Sequence, residues 1–398
     1  MLSTFSIVDY TLLGALLGLF LVQVYFYARY MAAPARRMRR DTKSQITNHQ
    51  SPMETPGVSV ILCAHNEADN LSHYLQALLT QDYPEFEVIV VDDGSEDDTR
   101  AVIENYMVHD PRLHMTFVPY GARVRSSKKL AITLAAKAAK YDYLLLTDAD
   151  CVPESNRWIY QMMSAFQSPI TNPQSPIEVV LGFGAYFREK GHINRLVRYD
   201  TLFNGLHYLG AALCGHPYMG VGRNLAYRKS LFFRSGGFSH LMDTMAGDDD
   251  LFVNHVATRA NTAVVVGPDS MTWSPAKKTF KEWWQQKRRH LSVSPSYRGA
   301  TKFRLTLEPV TRGMFYALLM GIIVYLFPFA NEQSLLLLLA AVSLFLIRWI
   351  MQTAILNISA RRMGLPRFTM FSVLWFDIVL PLVNLWMLIV PKRRKMKW

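Results

Sequence analysis

The segment Tyr141–Pro153, YDYLLLTDADCVP, decides how the chain is read. Tyr143–Leu146 is a short apolar run, the pattern of a strand buried on both faces of a parallel sheet. Two carboxylates one residue apart, Asp148 and Asp150, follow at once. In open α/β sheets ligands sit beyond the carboxyl ends of the strands, so both acids fall where a ligand is expected. Paired hard oxygens at such a place suit a divalent cation that also holds diphosphate oxygens. A solvated acidic turn would look the same in isolation, so the flanking sequence has to decide.

That flanking sequence repeats the design. Val58–Cys63 (VSVILC) is another buried-strand run, followed by the polar HNEADN and a helix-like segment, Leu71–Leu79. Glu87–Val91 (EVIVV) runs into Asp92-Asp93-Gly94-Ser95, and Ser95–Asp98 offer N-cap and first-turn acids for a helix through Tyr106. Lys128–Lys140 is an alanine-rich helix that leads into the opening strand. Strands alternating with helices over residues 57–275 predict an α/β domain with a mostly parallel sheet covered on both faces. Residues 167–178, punctuated by proline, read as a surface loop.

The chain has 398 residues, 50% hydrophobic, with a net charge of +12. That length admits more than one domain, and the charge calls for an anionic partner or surface. The cations gather beside apolar runs, at Arg29–Lys43, Lys277–Arg289, Arg361–Arg367 and Lys392–Lys397, and on no nucleic-acid-reading motif. Cations flanking hydrophobic segments mark the cytoplasmic side of a membrane. The three cysteines, Cys63, Cys151 and Cys214, have no metal-ligand spacing and suggest no disulfide framework, in keeping with a reducing compartment.

Residues 7–28 are long and apolar enough to span a bilayer. No cation precedes them, no small-residue cleavage site follows, and arginines come straight after, so residues 1–30 read as a retained anchor with its N-terminus outside. Residues 31–56 then form a basic linker. In KKTFKEWWQQKRRHL, Phe280, Trp283, Trp284 and Leu291 fall near one helical face, which predicts an amphipathic interfacial helix within 276–300, with a core-covering helix as the alternative. Apolar segments follow at 311–330, 335–357 and 369–390, ahead of a basic tail at 391–398. With the N-terminus outside, 311–330 runs outward, 335–357 returns, and Arg361, Arg362 and Arg367 lie inside. Asp377, Pro381 and Asn384 leave a re-entrant path open to the last segment. Arg348, within 335–357, can snorkel to a lipid phosphate or pair with Asp377.

The ordered motifs VSVILCAHNE, VIVVDDGSEDDT, LLLTDADC, GDDDLF and QKRRH resemble those of the family 2 glycosyltransferases, the inverting GT-A enzymes that include membrane polysaccharide synthases and lipid glycosyltransferases. The resemblance covers residues 57 to about 291. It implies a GT-A, Rossmann-like α/β domain on the cytoplasmic face, joined to α-helical transmembrane segments, in a bacterial inner membrane by preference. It implies transfer from a nucleotide-diphosphate sugar, a UDP-sugar by preference, to a lipid or growing glycan acceptor. A processive polysaccharide synthase and a non-catalytic sugar-nucleotide-binding scaffold are the alternatives, and no nucleic acid is expected beyond the donor nucleotide.

In that family the loop after the first strand and the DDG turn hold the nucleotide, which the resemblance carries to Ala64, His65, Asn66 and Glu67 and to Asp92 and Asp93. Helix capping is the other use open to Asp92. Lys128 falls on the family's phosphate-meeting lysine, but SSKKLA stands where a glycine more often precedes it, so Lys129 shares the role. Asp150 is implied to ligate Mg2+ or Mn2+, with Asp148 also at the metal and nearer the ribose or sugar. GDDDL, Gly247–Leu251, falls on the acidic motif E-D-x-(D/E)-L, with glycine for glutamate. A gapless match makes Asp248 the general base and Asp250 the downstream acid; a shift by one makes Asp249 the base. Gln286, Arg289 and His290 fall on QxxRW, with histidine for tryptophan, and Gln286 and Arg289 project from neighbouring turns of one helix toward the diphosphate. His290, Trp284, Arg223, Asn224 and Asp250 are the acceptor-side candidates.

Overall fold

The computed structural model describes residues 6–47, 55–119, 121, 126–167, 176–241, 244, 246–297, 299–326 and 332–389. The basic tail 391–398 and most of the expected loop 167–178 lie outside these. The chain begins with α1 (Ile7–Phe26), a π-helical turn (Tyr27–Met31) and α2 (Ala33–Thr47). Next come β1 (Val58–Ala64), α3 (Ala68–Leu79), β2 (Phe86–Asp92), α4 (Thr99–His109), β3 (Leu113–Phe117), α5 (Ser127–Ala138) and β4 (Tyr143–Leu146). The second half of the domain has β5 (Val152–Pro153), α6 (Trp158–Ser164), β6 (Val179–Leu181), β7 (Gly184–Tyr186), α7 (His192–Leu213), β8 (Leu225–Arg228), α8 (Lys229–Arg234), α9 (Asp250–Val256), β9 (Thr262–Val264) and β10 (Thr272–Ser274). It ends with α10 (Phe280–Leu291), α11 (Gly299–Leu326), α12 (Glu332–Arg362) and α13 (Met370–Ile389).

The main sheet has the order β3-β2-β1-β4-β8-β6-β9, and β5-β10-β7 form a smaller one. β1 pairs in parallel with both β2 and β4, whereas β8 is antiparallel to both its neighbours. Because strand side chains alternate in direction, the central strands feed two cores. Val60, Leu62, Val88, Val90 and Leu145 pack with Leu71, Leu75 and Trp158 on one side. Ile61, Ile89, Val91, Leu144 and Leu146 pack with Ala131, Ile132 and Ala135 of α5 on the other, in a core that continues into α7 and the apolar helices. The strand order reverses around β1, which places the carboxyl ends of β1, β2 and β4 beside one crevice.

Among the described residues, four helices are long and apolar enough to cross a membrane: Ile7–Asp41, Gly299–Leu326, Glu332–Arg362 and Met370–Met387. Three differences from the sequence reading have physical causes. The stretch expected as a linker is helical through Thr47: Pro34 falls in the first turn, where its missing N–H costs nothing, and Ala35 and Met38 are buried in the core shared with α7. The segment expected at 311–330 starts at Gly299, joined to its apolar half by a helix that runs through Pro309. The last segment is one continuous helix through Pro381, with no re-entrant break.

α7 joins these helices to the domain. Gly210 lies so close to the π-helical turn that a Cβ would sit 2.0 Å from the Tyr30 carbonyl oxygen. α10 docks as a core-covering helix: Trp283 is 3% exposed, and Lys287 donates to Asp200 of α7 at 2.6 and 2.7 Å.

The apolar helices enclose a buried ionic cluster. Asp377 accepts from Arg312 Nη1 (2.9 Å), Arg348 Nη1 (2.7 Å), Gln352 Nε2 (2.7 Å) and Tyr316 Oη (2.6 Å). Arg312 also pairs with Glu308 at 3.2 Å, and Arg348 Nη2 donates to Gln23 of α1 at 3.1 Å. Arg348 is fully buried, which removes the snorkelling route to lipid phosphate and leaves the pairing with Asp377.

Candidate active site

At the crevice the strands deliver a ring of charged groups. Asp148 and Asp150 follow β4 directly. Lys128, in the first turn of α5, donates to Asp148 Oδ1 at 2.8 Å and lies 3.4 Å from Asp248 Oδ2. Burial opposes the Lys128 charge, yet Asp148 and Asp248 hold its pKa well above the usual value. Burial likewise works against Asp148, but Lys128 outweighs it and keeps the carboxyl below its ordinary range. Asp150 goes the other way: burial and then the neighbouring Asp148 raise it. Asp148, Asp150 and Cys151 bring ligand atoms within 4.8 Å of one another. The Cys151 thiol, raised well above its usual value mainly by burial, donates to Asp150 Oδ1 at 3.3 Å. It therefore stays protonated, and the carboxylates form a hard-oxygen pair of the kind Mg2+ and Mn2+ prefer.

The acidic turn faces this pair. Gly247 has φ +92°, and a Cβ there would lie 2.6 Å from Leu251 Cδ1, so the departure from the family's glutamate is a backbone requirement. Asp249 caps α9, accepting from Asp250 N and Gly222 N, both at 2.8 Å. Burial and then Asp248 push its carboxyl up to about 6. Asp250 points away, accepting from Tyr297 Oη at 2.9 Å; burial and Asp249 raise it to about 8.

Arg223 is clamped over the crevice. It donates to Ser274 Oγ (2.8 Å), Gly184 O (3.1 Å) and Ala185 O (3.3 Å), with its guanidinium 4.2 Å above the Tyr186 ring. Its charge acts on both Asp148 and Asp150. Gln286 Nε2 donates to Tyr186 Oη at 3.2 Å, and Arg289 acts electrostatically on Asp148. Asp248 and Arg289 both act on His290. α10 thus turns its Gln/Arg face to the site.

The nucleotide-loop candidates form a connected turn. His65 Nδ1 lies 2.7 Å from the Asp93 carbonyl oxygen, and Asn66 (φ +56°) exchanges hydrogen bonds with Ser95 and Glu96. Glu67 is raised by burial and, beyond its hydrogen bond from Asn70, by Asp150 and Asp148. Ala64 contributes backbone only: it is buried, and its carbonyl accepts from Asp93 N at 2.8 Å. Asp92 accepts from Ser95 N at 3.0 Å within the turn ahead of α4, whose N-cap is Asp98, so it caps no helix, while burial raises Asp93.

Three expected site residues make packing or bracing contacts. Lys129, fully buried, donates to Leu241 O, Thr244 O and Ala246 O and so braces the loop before the acidic turn. Asn224 is buried between Trp158 Nε1, Phe183 O and Ser270 O. Trp284 stacks edge-on against Trp386 of α13, with ring centroids 4.9 Å apart. Conversely, Tyr186, Tyr297 and Gly222 touch the site machinery without carrying any motif. Only the neighbours that the fold gives them mark them out.

Residues 59–232 match the model of Glycosyl transferase family 2. This is a family 2 glycosyltransferase domain. The probable glycosyltransferase YdaM of Bacillus subtilis is 25% identical over 245 residues, which cover 59% of this chain and 54% of that protein. The poly-beta-1,6-N-acetyl-D-glucosamine synthase of Staphylococcus epidermidis strain RP62A is 28% identical over 116 residues, 29% of this chain and 27% of the synthase. The matched stretch thus spans about half the length of the first relative and about a quarter of the second. Among solved structures, the mannosyltransferase PcManGT from Pyrobaculum calidifontis, in complex with GDP-Man and Mn2+, aligns with a TM-score of 0.50 at 20% identity, covering 86% of this chain and 98% of that one. The family 2 domain described here has the GT-A-like α/β fold, joined to four long apolar helices.

Proposed function

We propose that this glycosyltransferase moves a sugar, with inversion, from a nucleoside-diphosphate donor to a hydroxyl of a lipid or lipid-linked acceptor at a membrane surface. The observation that carries this reading is the meeting of the Asp148/Asp150 pair with the Asp248/Asp249 turn across Lys128. One side is furnished to hold a diphosphate, and the other to take a proton.

The turn after β1 and the Asp93 region receive the nucleoside; Lys128, Arg223 and Arg289 face the diphosphate oxygens. Asp150, with Asp148, would hold Mg2+ or Mn2+, which when bound neutralises charge growing on the leaving diphosphate. The acceptor oxygen bonds to the anomeric carbon as that carbon's bond to the diphosphate oxygen breaks. The acceptor proton passes to the Asp248/Asp249 pair. An Asp249 carboxyl raised to about 6 is matched to proton transfer near neutral pH. Asp250, held by Tyr297 and raised to about 8, stays protonated and shapes the turn.

A screen of UDP- and GDP-sugars for metal-dependent donor turnover, with the full chain in detergent, tests the reading. Donor turnover lost in Asp150→Ala supports it; binding of every donor without turnover would leave a sugar-nucleotide scaffold instead. A purified chain that builds long polymer unaided would replace single transfer with processive synthesis.

A further inference from the structure

A narrow cleft, open to its surroundings, lies between α7, β7 and the turn that joins α12 to α13. Tyr186, Arg198, Leu202, Leu365, Pro366 and Phe368 line it. Tyr186 belongs to the active site as well, since it accepts from Gln286 and lies beneath Arg223. The cleft therefore stops one side chain short of the groups that act on Asp148 and Asp150. On its other side the lining turn runs into α13, whose Phe371 and Trp375 are 78% and 64% exposed. Large exposed aromatics on an apolar helix belong at a lipid boundary. The cleft thus links the bilayer side of the molecule to the catalytic crevice.

Its charge is one-sided. Arg198 Nη2 donates only weakly, to Pro366 O at 3.4 Å, and its guanidinium lies 5.5 Å from the Phe368 ring centroid. Burial, then Arg188 and Arg195, push the Arg198 pKa below its ordinary value. Among the described residues none of these three arginines forms an ion pair with a carboxylate. One arginine lining the cleft, with two exposed arginines in electrostatic reach and none of the three paired with a carboxylate, beside an apolar wall, matches an anion that carries a hydrocarbon chain.

We propose that this cleft is the acceptor site and that it seats a phosphate-headed lipid. The phosphate meets Arg198, flanked by Arg188 and Arg195, and the chain lies along Leu202, Leu365 and Phe368 toward the bilayer. The hydroxyl carried by the headgroup passes Tyr186 to the Asp248/Asp249 pair. There its oxygen bonds to the anomeric carbon, its proton goes to the pair, and the nucleoside diphosphate leaves. The proposal rests on the transferase reading above.

A long-chain alkyl phosphate bearing a diazirine, photolysed with the full chain in nanodiscs of zwitterionic lipid, tests it. Peptides covering residues 196–206 and 363–371 should carry the label, and unlabelled alkyl phosphate should remove it. Arg198→Leu, which removes the cation, and Leu365→Trp, which fills the cleft from its half-buried rim, should each lower labelling about tenfold in monodisperse protein. Labelling elsewhere, or labelling that survives both variants, overturns the proposal. So does competition of equal strength by inorganic phosphate or by the matching alkyl alcohol, which would mean that the cleft reads one half of the ligand. Equal competition by phosphatidylglycerol would make it a general phospholipid seat and overturn the acceptor assignment. Donor turnover in the same nanodiscs separates the two readings: turnover with label outside the cleft sinks this inference alone, whereas a labelled cleft with no turnover of any donor sinks the transferase reading and the acceptor role with it.

Discussion

The cluster around Asp377, among the apolar helices, and the cluster around Asp150, at the strand ends, both bury carboxylates, but only the first is balanced. Glu308 and Asp377 meet Arg312 and Arg348, and Asp377 accepts four hydrogen bonds. At the crevice, Asp148, Asp150, Asp248 and Asp249 meet Lys128, Arg223 and Arg289, with Asp250 turned aside to Tyr297, and Asp150, Asp249 and Asp250 have raised pKa values. A buried charge set that sums to zero, with its central carboxylate ringed by four donors, needs no further counter-ion. One that stays in excess, with carboxyls held above their ordinary range, is furnished for a cation and a proton. Similar residues make a structural bolt in one place and, on the proposed reading, a reaction centre in the other.

This contrast can be broken most sharply at Asp150. Asp150→Ala should cut metal-dependent donor turnover about 10³- to 10⁴-fold, since a Lewis-acid site supplies several kcal/mol. The check is a Mn2+ or Mg2+ titration, and full metal-dependent turnover in the variant would sink the arrangement. In the balanced cluster, Asp377→Leu should act on stability instead. The substitution leaves Arg348 with no carboxylate partner and Arg312 with Glu308 alone; breaking such a buried pair costs about 3–5 kcal/mol, which should appear as a lower unfolding midpoint in detergent. Should Asp377→Leu unfold at the wild-type midpoint, the two clusters would not differ in kind.

Asp249→Asn should lower turnover about 10²- to 10³-fold with donor affinity retained. Asp250→Asn should cost less, because its amide oxygen can still accept from Tyr297. Single-turnover kinetics with saturating donor separates the two. The smallest expected effect is one of pH. Asp249 and Asp250 are raised to about 6 and about 8, above the usual unfolded carboxyl near 4. Between those limits these two groups bind more protons in the folded chain than in the unfolded one, so their contribution to metal-free stability is greatest at low pH and falls as pH rises through about 6 and then 8. Turnover should rise through about 6 as Asp249 ionises. Unfolding midpoints from pH 4 to 9 with EDTA, beside a pH–rate profile, test these opposite slopes; Asp250→Asn should flatten the upper part of the stability curve.

Much of the site was legible in sequence because strand-end chemistry is local. An apolar run that ends in DAD, with VVDDG and VILCAHNE before it, can hardly place those acids anywhere but at the mouth of a parallel sheet. Legibility failed where two adjacent residues shared the same credentials. Lys128 and Lys129 differ by about 100° around one helix, and that angle sends one ammonium to Asp148 and the other to the carbonyls of Leu241, Thr244 and Ala246. Arg223 and Asn224 diverge in the same way, one toward the acids and one into the core between Trp158 and Ser270. The helix of Trp284 was legible, but its partner was not: Trp386 comes from a helix about a hundred residues later.

The amino-acid order alone settles what depends on period and length: the α/β alternation, acids beyond the strands, and four apolar stretches able to cross a bilayer. These follow from how each residue type behaves in a repeating backbone, whatever lies across from it. Tertiary structure decides everything that depends on the far neighbour. It chooses which lysine faces Asp148, neutralises Asp377 from α11 and α12, and brings Tyr186 between the acids and the cleft. Electrostatic balance and burial are properties of a three-dimensional neighbourhood, and residues far apart in the chain compose it.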